Sequence, residues 1–152
     1  DFRACVLWDK TAMNRAVLSV GSNIQPERNV KRALALLKHE GILRASSAFV
    51  RTAPIGILDQ PEFLNGAALV ETELERAALK RRLRELEERL GRRREGSRCG
   101  PRTIDLDIVV WNGRVVDRDF YERDFIRNAV LELLPSFMTG RRNRTRSADN
   151  IV

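Results

Sequence analysis

The chain has 152 residues, 43% of them apolar and 32% charged, a balance that suits one compact domain able to bury a real core. Its apolar runs are short and interrupted by charges, so no stretch approaches the roughly 20 residues of a membrane span, and the expectation is of a chain without a leader of the basic, apolar and small pattern. The net charge of +7 suits a polyanionic or phosphorylated ligand, while two cysteines far apart, Cys5 and Cys99, exclude a disulfide scaffold or a zinc site and point to a reducing, cytoplasmic location.

In chain order, Ala16 to Val20 is a short apolar run ended by Gly21-Ser22-Asn23, which predicts a buried strand entering a turn. Pro26 stands where a first helical turn tolerates it, and Val30, Ala33, Leu34 and Leu37 then recur on one face until Gly41, predicting an amphipathic helix. Leu43 to Arg51 and Leu64 to Thr72 read as strands on either side of a loop rich in Pro and Gly. From Leu74 to Leu90 the leucines at 79, 83, 86 and 90 predict a second helix, with Gly91 as its stop. Ile104 to Trp111 is a further strand, and Asn112-Gly113 turns it into Val115-Val116. The order strand, helix, strand, strand, helix, strand predicts an α+β fold, a ferredoxin-like sandwich whose antiparallel sheet has helices covering a face. The expected domain is 16–138, with an N-terminal extension over 1–15 of no assigned function and a basic tail over 139–152 expected to be disordered.

The segment that carries chemistry is Ile104-Asp105-Leu106-Asp107-Ile108. Period-two alternation places both aspartates on one face, roughly 6.5 to 7 Å apart along the strand, where they can hold hard divalent cations that also bind phosphate oxygens. An Asp-x-Asp pair is by itself an ordinary polar strand face, but the loop from Gly91 to Thr103 delivers five arginines to the same strand end. Of the 28 basic residues only four are Lys, leaving 24 Arg, and the guanidinium fork suits phosphate. Carboxylates and arginines together fit phosphoryl transfer, although Arg93 is equally explained as a helix cap. The loop from Arg51 to Asn65 offers a flat heteroaromatic ligand a ring to stack on in Phe63, an amide in Asn65, and backbone groups near Thr52 and Ile55.

Taken together, Gly21-Ser22-Asn23, Arg51-Thr52 with Pro54 and Gly56, Asp59-Gln60-Pro61, Phe63-Leu64-Asn65, Leu86-Glu87, Gly91-Arg92 and the string Gly100 to Ile108 resemble the 6-hydroxymethyl-7,8-dihydropterin pyrophosphokinases over about Ala16 to Pro135. The resemblance implies transfer of pyrophosphate from ATP to the hydroxymethyl oxygen of the pterin, with two Mg²⁺ ions on Asp105 and Asp107. It further implies that Arg92 and Arg102 steady the phosphates, that Glu87, Arg94, Ile108 and Arg123 serve the nucleotide, and that Thr52, Ile55, Phe63, Asn65 and Phe125 hold the pterin.

The chain departs from the family at Cys99, where a tryptophan is usual, and over Asp117–Glu122, which is shorter than usual and lacks a histidine; His39, the single histidine, ends the first helix. The resemblance therefore implies a thinner grip on ATP, for which Arg118 and Arg123 are placed to compensate. The competing readings are a non-catalytic or altered-substrate paralogue that keeps the pocket, and a small RNA-binding ferredoxin-like domain. Paired aspartates, and the lack of aromatic residues interleaved with basic ones on a central strand, argue against nucleic acid.

Overall fold

A computed structural model of the chain describes residues 13–56, 59–91 and 103–137. Six strands and four helices occur among them: β1 (Asn14–Ser22), α1 (Pro26–His39), β2 (Leu43–Ser46), β3 (Val50–Thr52), β4 (Phe63–Thr72), α2 (Arg76–Arg89), β5 (Asp105–Trp111), β6 (Arg114–Val115), α3 (Asp119–Glu122) and α4 (Asp124–Leu133). The strands form one sheet in the order β2-β4-β1-β5-β6, with β3 also on β4, and every pairing is antiparallel. This is the strand–helix–strand twofold arrangement of a ferredoxin-like sandwich, extended by a short hairpin and two further helices.

The central strands sort their side chains by parity. Ala16, Leu18 and Val20 of β1, with Ala68 and Val70 of β4 and Leu106 of β5, face α1 and α2, which contribute Val30, Ala33, Leu37, Leu79, Leu83 and Leu86. Each of these helices stops before a glycine in the left-handed region, Gly41 with φ 78° and Gly91 with φ 94°. The opposite face carries a second apolar cluster, in which Val17, Ala67, Leu69, Val109 and Val110 meet Phe120, Ile126, Ala129 and Val130. The structure thus adds a second helical layer, α3 and α4, on part of the face that a two-layer sandwich leaves open.

Three local features differ from simple alternation. The predicted strand Leu43–Arg51 is broken at Ser47, whose backbone N–H donates to the Ala67 carbonyl at 2.9 Å while its hydroxyl accepts from Ala67 N–H at 2.8 Å. A β-bulge makes Val109 an extra residue between Ile108, opposite Leu18, and Val110, opposite Val17, so that Val109 and Val110 both join the second cluster. The hairpin at Asn112-Gly113, with φ 46° and 80°, is the predicted two-residue turn, but its return strand is Arg114–Val115 because Val116 has already left the ladder with a single N–H to the Val109 carbonyl at 2.8 Å.

No described helix is long and apolar enough to cross a membrane. The tail over 139–152 expected to be disordered and the first 12 residues lie outside the described residues, and β1 begins at Asn14.

Phe120 anchors the second layer: it is fully buried and meets Tyr121 and Phe137 edge to face, with ring centroids 5.0 and 5.8 Å away. Phe120→Ala is expected to cost about 3–5 kcal/mol of stability, a loss read as a lower denaturant midpoint at unchanged slope.

Candidate active site

A cavity of about 260 Å³ opens on the sheet face opposite α1 and α2, just under the usual range of ligand pockets. Its floor comes from the three central strands. Ser19 and Gly21 of β1 lie opposite Asp107 and Asp105 of β5, and Gly21 lies opposite Asn65 of β4 on its other side. The walls are Thr52, Ala53 and Ile55 from β3 and the loop after it, Phe63 from β4, and Asp119, Arg123, Phe125 and Ile126 from α3 and α4.

Each group is held there by an identifiable interaction. Asn65 donates from Nδ2 to Thr52 Oγ1 at 2.6 Å, tying the edge strand to the floor. Its Oδ1 lies so close over Gly21 that a Cβ at that position would overlap it, which is the physical reason for glycine in the Gly21-Ser22-Asn23 turn. The buried Ser22 hydroxyl donates to the Thr103 carbonyl at 2.6 Å, fixing the entry to β5 two residues before Asp105. Asn23, also buried, donates from Nδ2 to Gln60 Oε1 at 2.8 Å and to the Pro61 carbonyl at 3.2 Å, holding the wall loop against the end of β1. On the far side, the Ala48 N–H donates to Glu132 Oε2 at 2.7 Å, so the break between β2 and β3 is pinned to α4.

The strand argument for the two aspartates holds in three dimensions. Ile104 and Leu106 are buried on the helix side, whereas Asp105, half-buried, and Asp107, exposed, both line the cavity. Among the described residues no group of three His, Cys, Asp or Glu side chains is gathered as a metal cage, so the donor set at this place is a pair of carboxylates with an open side toward the cavity. Among the described residues Arg123 is the one arginine in the cavity lining; its Nε lies 3.3 Å from Asp119 Oδ1.

Of the residues singled out in the sequence, Thr52, Ile55, Phe63, Asn65, Asp105, Asp107, Arg123 and Phe125 converge on this cavity. Glu87 and Ile108 do not line it: Glu87 is buried on α2, and the Ile108 side chain packs with the core on the helix side, as parity requires of a residue next to Asp107. Arg92, Arg94 and Arg102 lie outside the described residues. Arg118 is exposed and is not part of the cavity lining. Ser19, Gly66, Asp119 and Ile126 line the cavity without having been singled out; for Ser19 the signal was available, since it shares the parity of Gly21 in the same strand.

Residues 17–135 match the model of a family described as 7,8-dihydro-6-hydroxymethylpterin-pyrophosphokinase. The chain is 36% identical over 139 residues to a 2-amino-4-hydroxy-6-hydroxymethyldihydropteridine pyrophosphokinase of Methylorubrum extorquens, covering 84% of this chain and 87% of the relative. A Bacillus subtilis protein of the same name is 34% identical, with 79% of this chain and 78% of that protein covered. A folate synthesis bifunctional protein of Arabidopsis thaliana is 33% identical across 83% of this chain, which spans only 28% of that longer relative. With its match over most of its length and its aspartate pair on the floor of a sheet cavity, the chain belongs to the 7,8-dihydro-6-hydroxymethylpterin-pyrophosphokinase family.

Proposed function

We propose that this protein transfers the β,γ-pyrophosphoryl group of ATP to the hydroxymethyl oxygen of 6-hydroxymethyl-7,8-dihydropterin, yielding the pterin diphosphate and AMP for folate synthesis. The observation that carries this reading is the meeting of Asp105, Asp107, Arg123, Asn65, Phe63 and Phe125 in one small cavity of a chain of this family. The relatives' names support the reaction, and the cavity supplies groups for both of its substrates.

The pterin is assigned to the edge-strand side. Phe63 and Phe125 come from the sheet and from α4, and they suit the two faces of a flat bicycle; Asn65, held by Thr52, suits its polar edge. The phosphates are assigned to the β5 side, beside Arg123, with Arg92 and Arg102 assigned to them by motif. Two hard carboxylates with an open side fit Mg²⁺, which keeps waters and substrate oxygens in its shell and does not need an all-protein cage. Asp105 and Asp107 would hold two such ions, and bound magnesium neutralises charge on the phosphate oxygens. In the transfer, the hydroxymethyl oxygen bonds to the β-phosphorus as the bond from that phosphorus to the α,β-bridging oxygen breaks. AMP departs with that oxygen, and the hydroxyl proton is released to water. The protein's part is to hold the two substrates in line, to exclude water around the pterin, and to oppose charge with Arg123. We assign the protein to a reducing compartment, the cytoplasm, on its two cysteines far apart in the sequence.

Asp105→Asn and Asp107→Asn are each expected to lower AMP release in the presence of the pterin and saturating Mg²⁺ by about a hundredfold or more, with the thermal midpoint moving by only a few degrees. Near-normal turnover in either variant would refute the metal assignment, and an unmodified protein that binds the pterin but releases no AMP would refute the enzyme.

Phe63→Ala is expected to weaken pterin binding about tenfold or more, combining lost stacking with lost burial, while binding of a non-hydrolysable ATP analogue alone changes less than about twofold. Titration calorimetry reads both, and unchanged pterin affinity in a folded Phe63→Ala protein would place the pterin elsewhere.

A further inference from the structure

We propose that Asp119 is a positioning residue that aims the guanidinium of Arg123 at the nucleotide phosphates. The inference rests on the functional reading above and concerns a residue that the family motif does not include. Arg123 is the single extended residue between α3 and α4, with φ −128° and ψ 112°, and its backbone N–H donates to the Asp119 carbonyl at 3.0 Å. Asp119 is fixed in turn: its N–H donates to Asp117 Oδ1 at 2.9 Å, and its neighbour Phe120 is fully buried. A rigid turn therefore places the Asp119 carboxylate one helical turn before Arg123, and both side chains reach the cavity.

The contact runs from Nε of Arg123 to Oδ1 of Asp119, at 3.3 Å. A carboxylate on Nε takes the inner edge of the guanidinium and leaves the Nη1/Nη2 edge to a second anion, the geometry in which arginine binds phosphate with two parallel hydrogen bonds. A lysine has no such second edge, and an untethered arginine loses more rotamer freedom on binding. The device sits where the stretch Asp117–Glu122 is shortened. Arg118, the other cation expected to compensate there, is turned to solvent and away from the cavity lining, so Arg123 carries that task with Asp119 behind it.

The test is calorimetric binding of α,β-methylene-ATP with Mg²⁺ to the unmodified chain, to Asp119→Ala, Asp119→Asn and Arg123→Ala, and to the Asp119→Ala/Arg123→Ala double variant. Pterin affinity is measured at saturating analogue. Asp119→Ala is expected to weaken analogue binding about three- to tenfold, the scale of one partly exposed charge-assisted contact, with Asp119→Asn recovering part of the loss. In the Arg123→Ala background the same substitution is expected to change nothing further, and pterin affinity is expected to hold throughout. Unchanged or tighter analogue binding in Asp119→Ala, an equal loss in the Arg123→Ala background, or a parallel loss of pterin binding would overturn the proposal. An unmodified chain that binds the analogue but releases no AMP from ATP and pterin overturns the functional reading instead and leaves the coupling measured; one that binds no nucleotide overturns both.

Discussion

Strand β1 lies between β4 and β5, and its pairing with both sets everything else in the molecule. Val17 is completely buried on one face of the strand and Leu18 and Val20 on the other, so an error of register disturbs apolar packing on both sides of the sheet. A slip of one residue would send Leu18 and Val20 to the cavity side and Ser19 and Gly21 into the packing of α1 and α2. The same register that closes the core puts Gly21 between Asn65 and Asp105, which are the two ends of the candidate site. Core and site are thus two faces of one set of hydrogen bonds.

The cavity is the part of the second face that α3 and α4 leave uncovered. Over Val17, Leu69 and Val110 the face is apolar and covered by Phe120, Ile126 and Val130; toward the end of β1 it turns polar and stays open. The bulge at Val109 marks that change, because it directs two successive valines to the apolar end immediately after the two aspartates of the open end. The walls are then fastened to the floor by short-range polar contacts from Ser22, Asn23 and Asn65, each drawn from a loop or strand end that packing alone would leave loose. A rigid floor with separately tethered walls suits a site that must hold two ligands in line.

The excess of arginine has a plainer role over most of the described surface. Arg15 and Arg44 share Glu71, Arg82 bridges Glu40, just past the end of α1, and Glu85 on α2, and Arg51 reaches Glu27. Exposed pairs of this kind each contribute about 0–1 kcal/mol, so they orient long side chains and keep the surface hydrated more than they hold the fold. Arg123 differs because it and its partner Asp119 both line the cavity, together with two other carboxylates.

The features that could be read from the sequence are those with local causes. Leucines at 79, 83 and 86 make one helical stripe wherever the helix lies; Asn112-Gly113 accepts positive φ at both residues; and alternation along one strand is enough to put Asp105 and Asp107 on a common face. Thr52, Ile55, Phe63 and Asn65 were legible as a group because they share one loop and its flanking strands, and Arg123 and Phe125 only through the family resemblance. The tertiary structure alone decided the rest. The split of the edge strand at Ser47 depends on Ala67, the bulge at Val109 on β1, the close approach that demands Gly21 on Asn65, and the pairing of Asp119 with Arg123 on the angle between two short helices. Each of these follows from contacts between segments remote in sequence or from how one helix leaves another, and neither leaves a periodic trace along the chain.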